Sequence, residues 1–376
     1  MARTDNLTNF LTDVANAIRE KKGTYGEIPA SEFDMKIREI SSSNSEATGG
    51  ADLSEYFTEI ISAGTNSVAG YINTIKKIPL MTISGTSCDY MFQACPFPEI
   101  PLLDTSRVTS MNYMFRNSAI ERIPLLDTSN VTNMASMFSG SKVTEVPNLN
   151  TSKVKSMGSM FYGSKIVNAP EMDTSQVTSM ASMFRECENL VSVPSYNTSQ
   201  VTSMAQMFYG CRKLEQIGEY DTQNVTNMNG LFYNVDKLTK IPNLNTSNVT
   251  NMSMMFYGFG NYSEVPLLDC GNVTNIDRMF DVGKSTLTTL GGFKDLGKAY
   301  LTTQSADFQQ YRLDLDNLNN LTEQSIINVL DNLYDIASKG CATQKVSFGS
   351  SNLNKLTSEA GQTALANARA KGWTIV

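Results

Sequence analysis

Two sets of side chains that could take part in binding recur at a regular spacing in this sequence. The first set could supply oxygen ligands. An Asp or Asn recurs every 23 or 24 residues, directly before Thr in all copies but the last. Clustered oxygen ligands favour calcium. The same residue types cap free backbone N–H groups at turns, and alternation of Asp with Asn limits repulsion between neighbours. Capping is therefore the favoured interpretation, and we expect no metal and no cofactor. The members of this capping ladder are Asp104, Asp127, Asn150, Asp173, Asn197, Asp221, Asn245 and Asp269.

Tyrosines form a second recurrent set, each directly after a recurrent Phe. Stacked exposed rings on a rigid face would suit the binding of sugar rings or of proteins. The alternative is that each ring only packs beside the core, and we favour that alternative slightly. The set is retained as a candidate binding surface, the tyrosine stripe, which consists of Tyr162, Tyr209, Tyr233 and Tyr257.

Catalytic residues are not predicted anywhere in the chain. The sequence has no His, which removes the usual general base, the usual zinc ligand and every Ser-His or Cys-His pair. Its six cysteines include no CxxC pair, and Cys187 and Cys211 share one repeat position, which predicts small buried hydrophobes and, as a less favoured alternative, a disulfide. No acidic pair recurs with the partner that a glycosidase needs.

Composition narrows the class of partner. The formal net charge is −7 and the isoelectric point is about 4.9, so phosphate backbones are repelled and nucleic acid is an unexpected partner. The first ten residues are polar and lack the apolar run of a signal peptide. No stretch approaches the roughly 20 apolar residues that cross a bilayer. We expect synthesis in a cytoplasm, no ordinary export and no membrane insertion.

A repeat of 23 or 24 residues organises the middle of the chain. Around each recurrent Phe, a Val lies seven residues before, a Met four before and a Pro fourteen before, with few exceptions. A unit this short cannot bury its own apolar side chains, so stacked units must bury them against one another. The recurrent residues are Phe92, Phe115, Phe138, Phe161, Phe184, Phe208, Phe232, Phe256 and Phe280.

Each repeat is predicted to contain a short strand and a short helix. The strand is expected around Ile123 and Leu126, or around Ile241 and Leu244 in a later copy. The helix is expected at 131–138, where apolar residues follow helical spacing. The capping ladder lies between the two elements.

The flanking segments do not follow the repeat. The predicted organisation is a helical module at 1–42, a linker at 43–50, cap strands at 51–90, repeats at 91–284 and capping repeats at 285–376. The C-terminal elements are predicted as a helix at 322–336, a strand at 345–348, a helix at 357–370 and a strand at 373–376.

The repeat, seen in "LDTSNVTNMASMFSG" and "NTSNVTNMSMMFYGF", resembles the BspA-type leucine-rich repeats of bacterial surface proteins. The resemblance covers residues 78–280 and implies an α/β fold, a leucine-rich-repeat solenoid with short parallel strands and short helices. The segment "LTDVANAIREKKGTYGEIPASEFDMKIREI" resembles a module of tail and baseplate proteins of bacteriophages that infect Gram-positive hosts. The C-terminal segment "LTEQSIINVLDNLYDIASKG…LTSEAGQTALANARAKGWTIV" is similar to a cap that often accompanies it.

Together these resemblances imply a non-enzymatic protein of a phage tail or baseplate. Residues 1–42 would attach to other virion proteins, and the repeats would recognise a protein or glycan on the host surface. By analogy with such proteins, a homo-oligomer such as a trimer is expected. The alternative is a bacterial cell-surface adhesin with the same repeats, and a third, least favoured, is a wall-glycan hydrolase.

Overall fold

The computed structural model describes Ile83 and residues 85–376, except 101–102, 259–260, 281–285, 300–311 and 342. All of these residues belong to the second of the two units into which the chain divides, Ile61–Val376. The predictions for 1–42, for 43–50 and for most of 51–90 lie outside the described residues.

Successive repeats are joined by parallel main-chain pairing at one position, five residues before each core Phe. Each residue at this position forms a parallel bridge with its counterpart in the next repeat. The repeats therefore stack in register, and equivalent side chains form columns from one repeat to the next. The bridged residues are Ser87, Ser110, Asn133, Ser156, Ser179, Ser203, Asn227, Asn251 and Asn275.

The helix predicted at 131–138 is wrong. The Ser136 N–H donates to the Gly158 carbonyl at 2.9 Å and the Phe138 N–H to the Met160 carbonyl at 2.8 Å, both in the next repeat. An α-helix keeps these bonds within four residues of its own chain. Ser136 has a φ of 55°, in the left-handed region, so the segment is a series of turns. Apolar spacing alone does not separate such turns from a helix.

The strands predicted around Ile123 and Leu126 and around Ile241 and Leu244 are not formed at those residues. Equivalent segments form two-residue parallel pairs in some of the other copies. The recurrent Pro has no N–H to donate, which stops the ladder at this position. The pairs are β1 (Ser192–Val193) with β2 (Gln216–Ile217), β3 (Glu264–Val265) with β5 (Thr289–Leu290), and β4 (Leu268–Asp269) with β6 (Phe293–Lys294).

The core is a continuous column of phenylalanine rings flanked by Val and Met. Consecutive rings from Phe92 to Phe280 stack with centroid separations from 5.2 to 6.2 Å, and every ring is buried. Burying one such side chain contributes about 1.5–3 kcal/mol. Because each inner ring is covered by the rings of the two neighbouring repeats, this burial depends on those repeats.

The C-terminal residues form longer units with true helices. The strands β7 (Arg312–Asp314), β8 (Gln344–Ser347) and β9 (Trp373–Ile375) make a parallel sheet in the order β7-β8-β9. The helices are α1 (Glu323–Asp331), α2 (Gly349–Leu353) and α3 (Glu359–Ala370), with a 3-10 turn at Ala337–Lys339.

Sequence and structure agree closely in this region. Helix α1 ends five residues earlier than predicted and α3 begins two residues later, and α2, β7 and the 3-10 turn were not predicted. Among the described residues, no helix is both long and apolar enough to span a bilayer. The described chain is thus a mixed α/β protein with a repeated domain, short strands and few helices.

Candidate binding surfaces

The tyrosine stripe is a real column, but its rings cover one another. Tyr209 and Tyr233 stack at 4.0 Å between centroids and 6° between planes, and Tyr233 and Tyr257 stack at 4.6 Å and 2°. All of the stripe tyrosines are half-buried. The two faces of Tyr233 are therefore occupied by the neighbouring tyrosines. A sugar ring that needs an open aromatic face does not find one at Tyr233.

Arg185 fills the gap in the stripe between Tyr162 and Tyr209, because it follows Phe184 where the two neighbouring repeats have Tyr. Its guanidinium carbon lies 4.5 Å from the ring centroid of Tyr209 and 5.5 Å from that of Tyr162. Its Nη1 donates to the Gln206 side-chain oxygen at 2.6 Å, and its Nε lies 3.4 Å from Glu186 Oε1. A cation over an aromatic face is attractive, so Arg185 continues the column. Sequence reasoning did not identify it.

The capping ladder has one repeated geometry. The Oδ1 atom of each of the eight residues accepts the backbone N–H two residues further on, at 2.9–3.2 Å. Hydrogen bonds from the Ser106 hydroxyl and the Ser106 N–H hold the pKa of Asp104 below its usual range. The N–H and hydroxyl of Ser175 lower the pKa of Asp173 likewise. These side-chain oxygens therefore stabilise the turns.

Metal coordination finds no support in the part of the chain that the structure describes. No group of three or more His, Cys, Asp or Glu side chains there could hold a metal ion. Asp269, at the end of the ladder, is paired instead with Lys294, whose Nζ lies 2.7 Å from its Oδ2.

The cysteines of the repeats are buried thiols. The Cys187 Sγ donates to the Phe161 carbonyl at 2.8 Å, and the Cys211 Sγ to the Phe184 carbonyl at 2.9 Å. Both residues are free cysteines, so the disulfide alternative is not present in this structure. Burial raises the pKa of the Cys187 and Cys88 thiols to about 12, which keeps the reactive thiolate scarce at neutral pH.

A second polar surface, which sequence reasoning did not single out, lies beside the capping ladder. Six residues before the core Phe, most repeats have an exposed Thr. The sequence signal was the Thr that follows every recurrent Val except Val154, which is followed by the exposed Lys155. The outward position of these residues was not predicted, because the segment was assigned to a helix. We call this column the threonine ladder: Thr109, Thr132, Thr178, Thr202, Thr226 and Thr250.

These observations define a repeat protein. Its units are joined by parallel bridges, and equivalent side chains form columns on two polar surfaces. The chain belongs to the family described as "Mycoplasma protein of unknown function, DUF285", whose model matches residues 86–192, 142–238 and 185–293, more than half of the chain in total. This repeat family is related to BspA-like repeat proteins. No curated protein and no solved structure matches the chain. The matched residues do not include the N-terminal segment that resembles phage modules.

Proposed function

We propose that the repeats form a leucine-rich-repeat solenoid whose role is binding rather than catalysis. The observation that supports this most strongly is the in-register stacking of exposed side chains on successive parallel bridges. Stacked repeats of this kind present long, regular surfaces. Such surfaces suit recognition of an extended or repetitive partner better than they suit a concave reaction site.

The binding role that we propose is recognition of a host cell surface by a bacteriophage tail or baseplate. The resemblance of residues 11–40 to phage tail modules supports this setting. Residues 1–42 would attach the chain to other virion proteins, and the repeats would contact a host protein or glycan. The chain would assemble in the cytoplasm of the bacterial host as a homo-oligomer such as a trimer.

A bacterial cell-surface adhesin is the second candidate, and the relation of the repeat family to BspA-like proteins favours it. Both candidates use the repeats for binding, but they differ in what carries the chain. Tail-assembly genes beside the coding sequence would support the phage setting, whereas sortase or export genes would support the adhesin.

The direct test is to image intact phage particles with an antibody against this chain and then to measure host adsorption. We expect the antibody to label the tail, and we expect particles without residues 91–284 to lose most of their adsorption. Unlabelled particles would refute the phage setting. Labelled particles that adsorb normally without the repeats would refute the recognition role.

A further inference from the structure

We propose that residues 95–98 close the edge of the first repeat, the one that contains Phe92, and so prevent a second copy of this chain from adding to the stack there. The device is a pair of prolines, Pro96 and Pro98, at two positions where later repeats use an N–H group to reach back to the repeat before them. The inference does not depend on what the repeats bind. It limits the part of the chain through which a homo-oligomer could form.

The position three residues before the recurrent Pro joins several repeats to the repeat before them. Its N–H donates to the equivalent carbonyl one repeat earlier: Glu121 to Pro98 at 2.8 Å, Val167 to Thr144 at 3.2 Å and Val191 to Val167 at 2.8 Å. In the first repeat this position is Pro98, and proline has no N–H to donate. The first repeat therefore lacks the donor with which a preceding unit would be bound.

A second backward-reaching donor lies two residues earlier. The Ala119 N–H donates to the Cys95 carbonyl at 2.6 Å, and the Lys142 N–H donates to the Ser118 carbonyl at 3.2 Å. The equivalent residue of the first repeat is Pro96. Both backward-reaching donors are thus removed from the same short segment, whereas the recurrent Pro of the other repeats removes neither.

The remaining polar groups described in this segment are used within the chain. The Cys95 N–H donates to the Phe92 carbonyl at 3.1 Å, and the Phe97 N–H interacts with the Cys95 sulfur. The carbonyls of Cys95 and Pro98 already accept N–H groups of the second repeat. Backbone groups that are paired or absent cannot serve as a template for another chain.

The segment is exposed, so it faces solvent and not a covering part of the chain. Pro96, Pro98 and Glu99 are all exposed. Proline and charged side chains on an exposed edge are the features with which sheet proteins resist pairing with other molecules.

The far end of the chain shows why such a device is needed. Strand β9 (Trp373–Ile375) pairs with β8 alone among the strands that the structure describes. If the edge at 95–98 offered donors, β9 of a second copy could meet it head to tail. Contacts of this kind join unlike surfaces and extend without closing. The two prolines would therefore keep the stack at the length of one chain.

The test restores the missing donors in the full chain. One variant combines Pro96→Ala with Pro98→Val, which introduces the residue types of Ala119 and Val167. The matched control is Thr144→Val, which adds the same side chain at the exposed equivalent of Pro98 two repeats further on, without a new N–H. The two single variants are made as well. Analytical ultracentrifugation measures the mass of each protein between about 1 and 100 µM, the range of weak specific association, and thermal unfolding checks that each is folded.

We expect the mass of the double variant to rise with concentration to about twice that of the unmodified chain or more, since each new contact joins two copies. Backbone amides at positions 96 and 98 should become protected from hydrogen exchange over the same range. Thr144→Val should have the mass of the unmodified chain throughout. If the double variant does not fold, the single variants are judged by the same criteria.

Two results would overturn the proposal. The first is a folded double variant whose mass equals that of the unmodified chain at every concentration. The second is equal association by Thr144→Val, because the added apolar side chain and not the restored N–H groups would then be responsible.

Discussion

The repeats between residues 85 and 280 and the C-terminal residues 286–376 both join successive units by parallel pairing, but they treat the backbone differently. In the repeats, alternate N–H groups of the turn segments reach the next unit, and the residues described there form no helix. In the C-terminal region Arg312 pairs with Lys345 and Gln344 with Trp373, a longer step than 23 or 24 residues. The longer unit has room for α1 and α3, whose N–H groups are mostly bonded within the helix.

The two regions differ in whether a segment is stabilised by its own hydrogen bonds or by those to the next unit. Helix α3 bonds internally, and its Ser358 cap accepts the Gly361 N–H at 3.0 Å. A turn segment in the repeats has no such independence, because the Phe161 N–H is bonded to the Met183 carbonyl of the next repeat at 2.9 Å. Damage in the repeats should therefore spread to neighbouring units, whereas damage to a helix end should remain local.

The largest expected effect is that of Phe184→Ala, which removes a ring from the middle of the core column. We expect a loss of about 3–5 kcal/mol in the free energy of unfolding, measured by denaturant titration. Hydrogen exchange should also accelerate at the Phe161 and Phe208 amides, which lie in the flanking repeats. Phe348→Ala, a buried ring in the C-terminal region, serves as the comparison. If faster exchange stays within the mutated repeat, the coupling between repeats is disproved.

The next effect comes from Gly218, which stands where other repeats have Pro. A Cβ built on Gly218 would lie 2.3 Å from the Ser195 nitrogen, and the Gly218 N–H donates to the Val193 carbonyl at 3.0 Å. Restoring the consensus by Gly218→Pro should therefore destabilise the protein by about 3 kcal/mol. The repeat consensus alone would predict that Gly218→Pro stabilises the protein.

The matched control for Gly218 is Gly158→Ala. The nearest atom to a Cβ there is the Ala181 carbonyl oxygen at 3.6 Å, an ordinary contact. Equivalent positions already have Ala in Ala135, Ala181 and Ala205. We expect a change within about 0.5 kcal/mol. Equal melting temperatures for Gly218→Pro and the unmodified chain would contradict the close approach of Gly218 to Ser195.

The sequence predicts well those features that depend on burial and on local caps. Phe138 and its counterparts must stack because a short unit cannot bury them alone, and Ser358 precedes α3 as the type of residue that caps a helix. The sequence does not reveal the left-handed φ of Ser136, because such a conformation is uncommon for a residue other than glycine and no glycine marks the position. That omission led to the incorrect helix at 131–138.

The exposed columns of side chains could be predicted only in part, for a related reason. The tyrosine stripe was visible as a column, but the closure of its faces depends on inter-repeat spacing and on Arg185, which no residue pattern specifies. The outward position of Thr226 follows from the turn backbone and not from a helix. The Thr226 hydroxyl donates to the carbonyl of Thr202, a contact between repeats that the residue pattern does not reveal.

A smaller effect compares a cap in each region. Ser358→Ala removes the acceptor for the Gly361 N–H and should cost about 1 kcal/mol, measured by thermal unfolding. Asn150→Ala removes the acceptor for the exposed Ser152 N–H, which water can replace, so we expect a smaller loss. Asn150→Asp keeps the oxygen and is the control. A larger loss for Asn150→Ala than for Ser358→Ala would reverse this ranking.

The smallest effect is the pH dependence of the capping ladder. The Ser175 N–H and hydroxyl lower the pKa of Asp173 in the folded chain, while the unfolded value is about 3.9. Because the folded state binds the proton more weakly, the stabilisation by Asp173 is fully present above the unfolded pKa and is lost as pH falls through the folded pKa. Asp173→Asn should therefore flatten the decline in unfolding free energy below about pH 4, and Asn197→Asp should steepen it. Identical acid profiles for all three proteins would show that the ladder carboxylates make no pH-dependent contribution and act only through oxygen atoms that Asn supplies equally well.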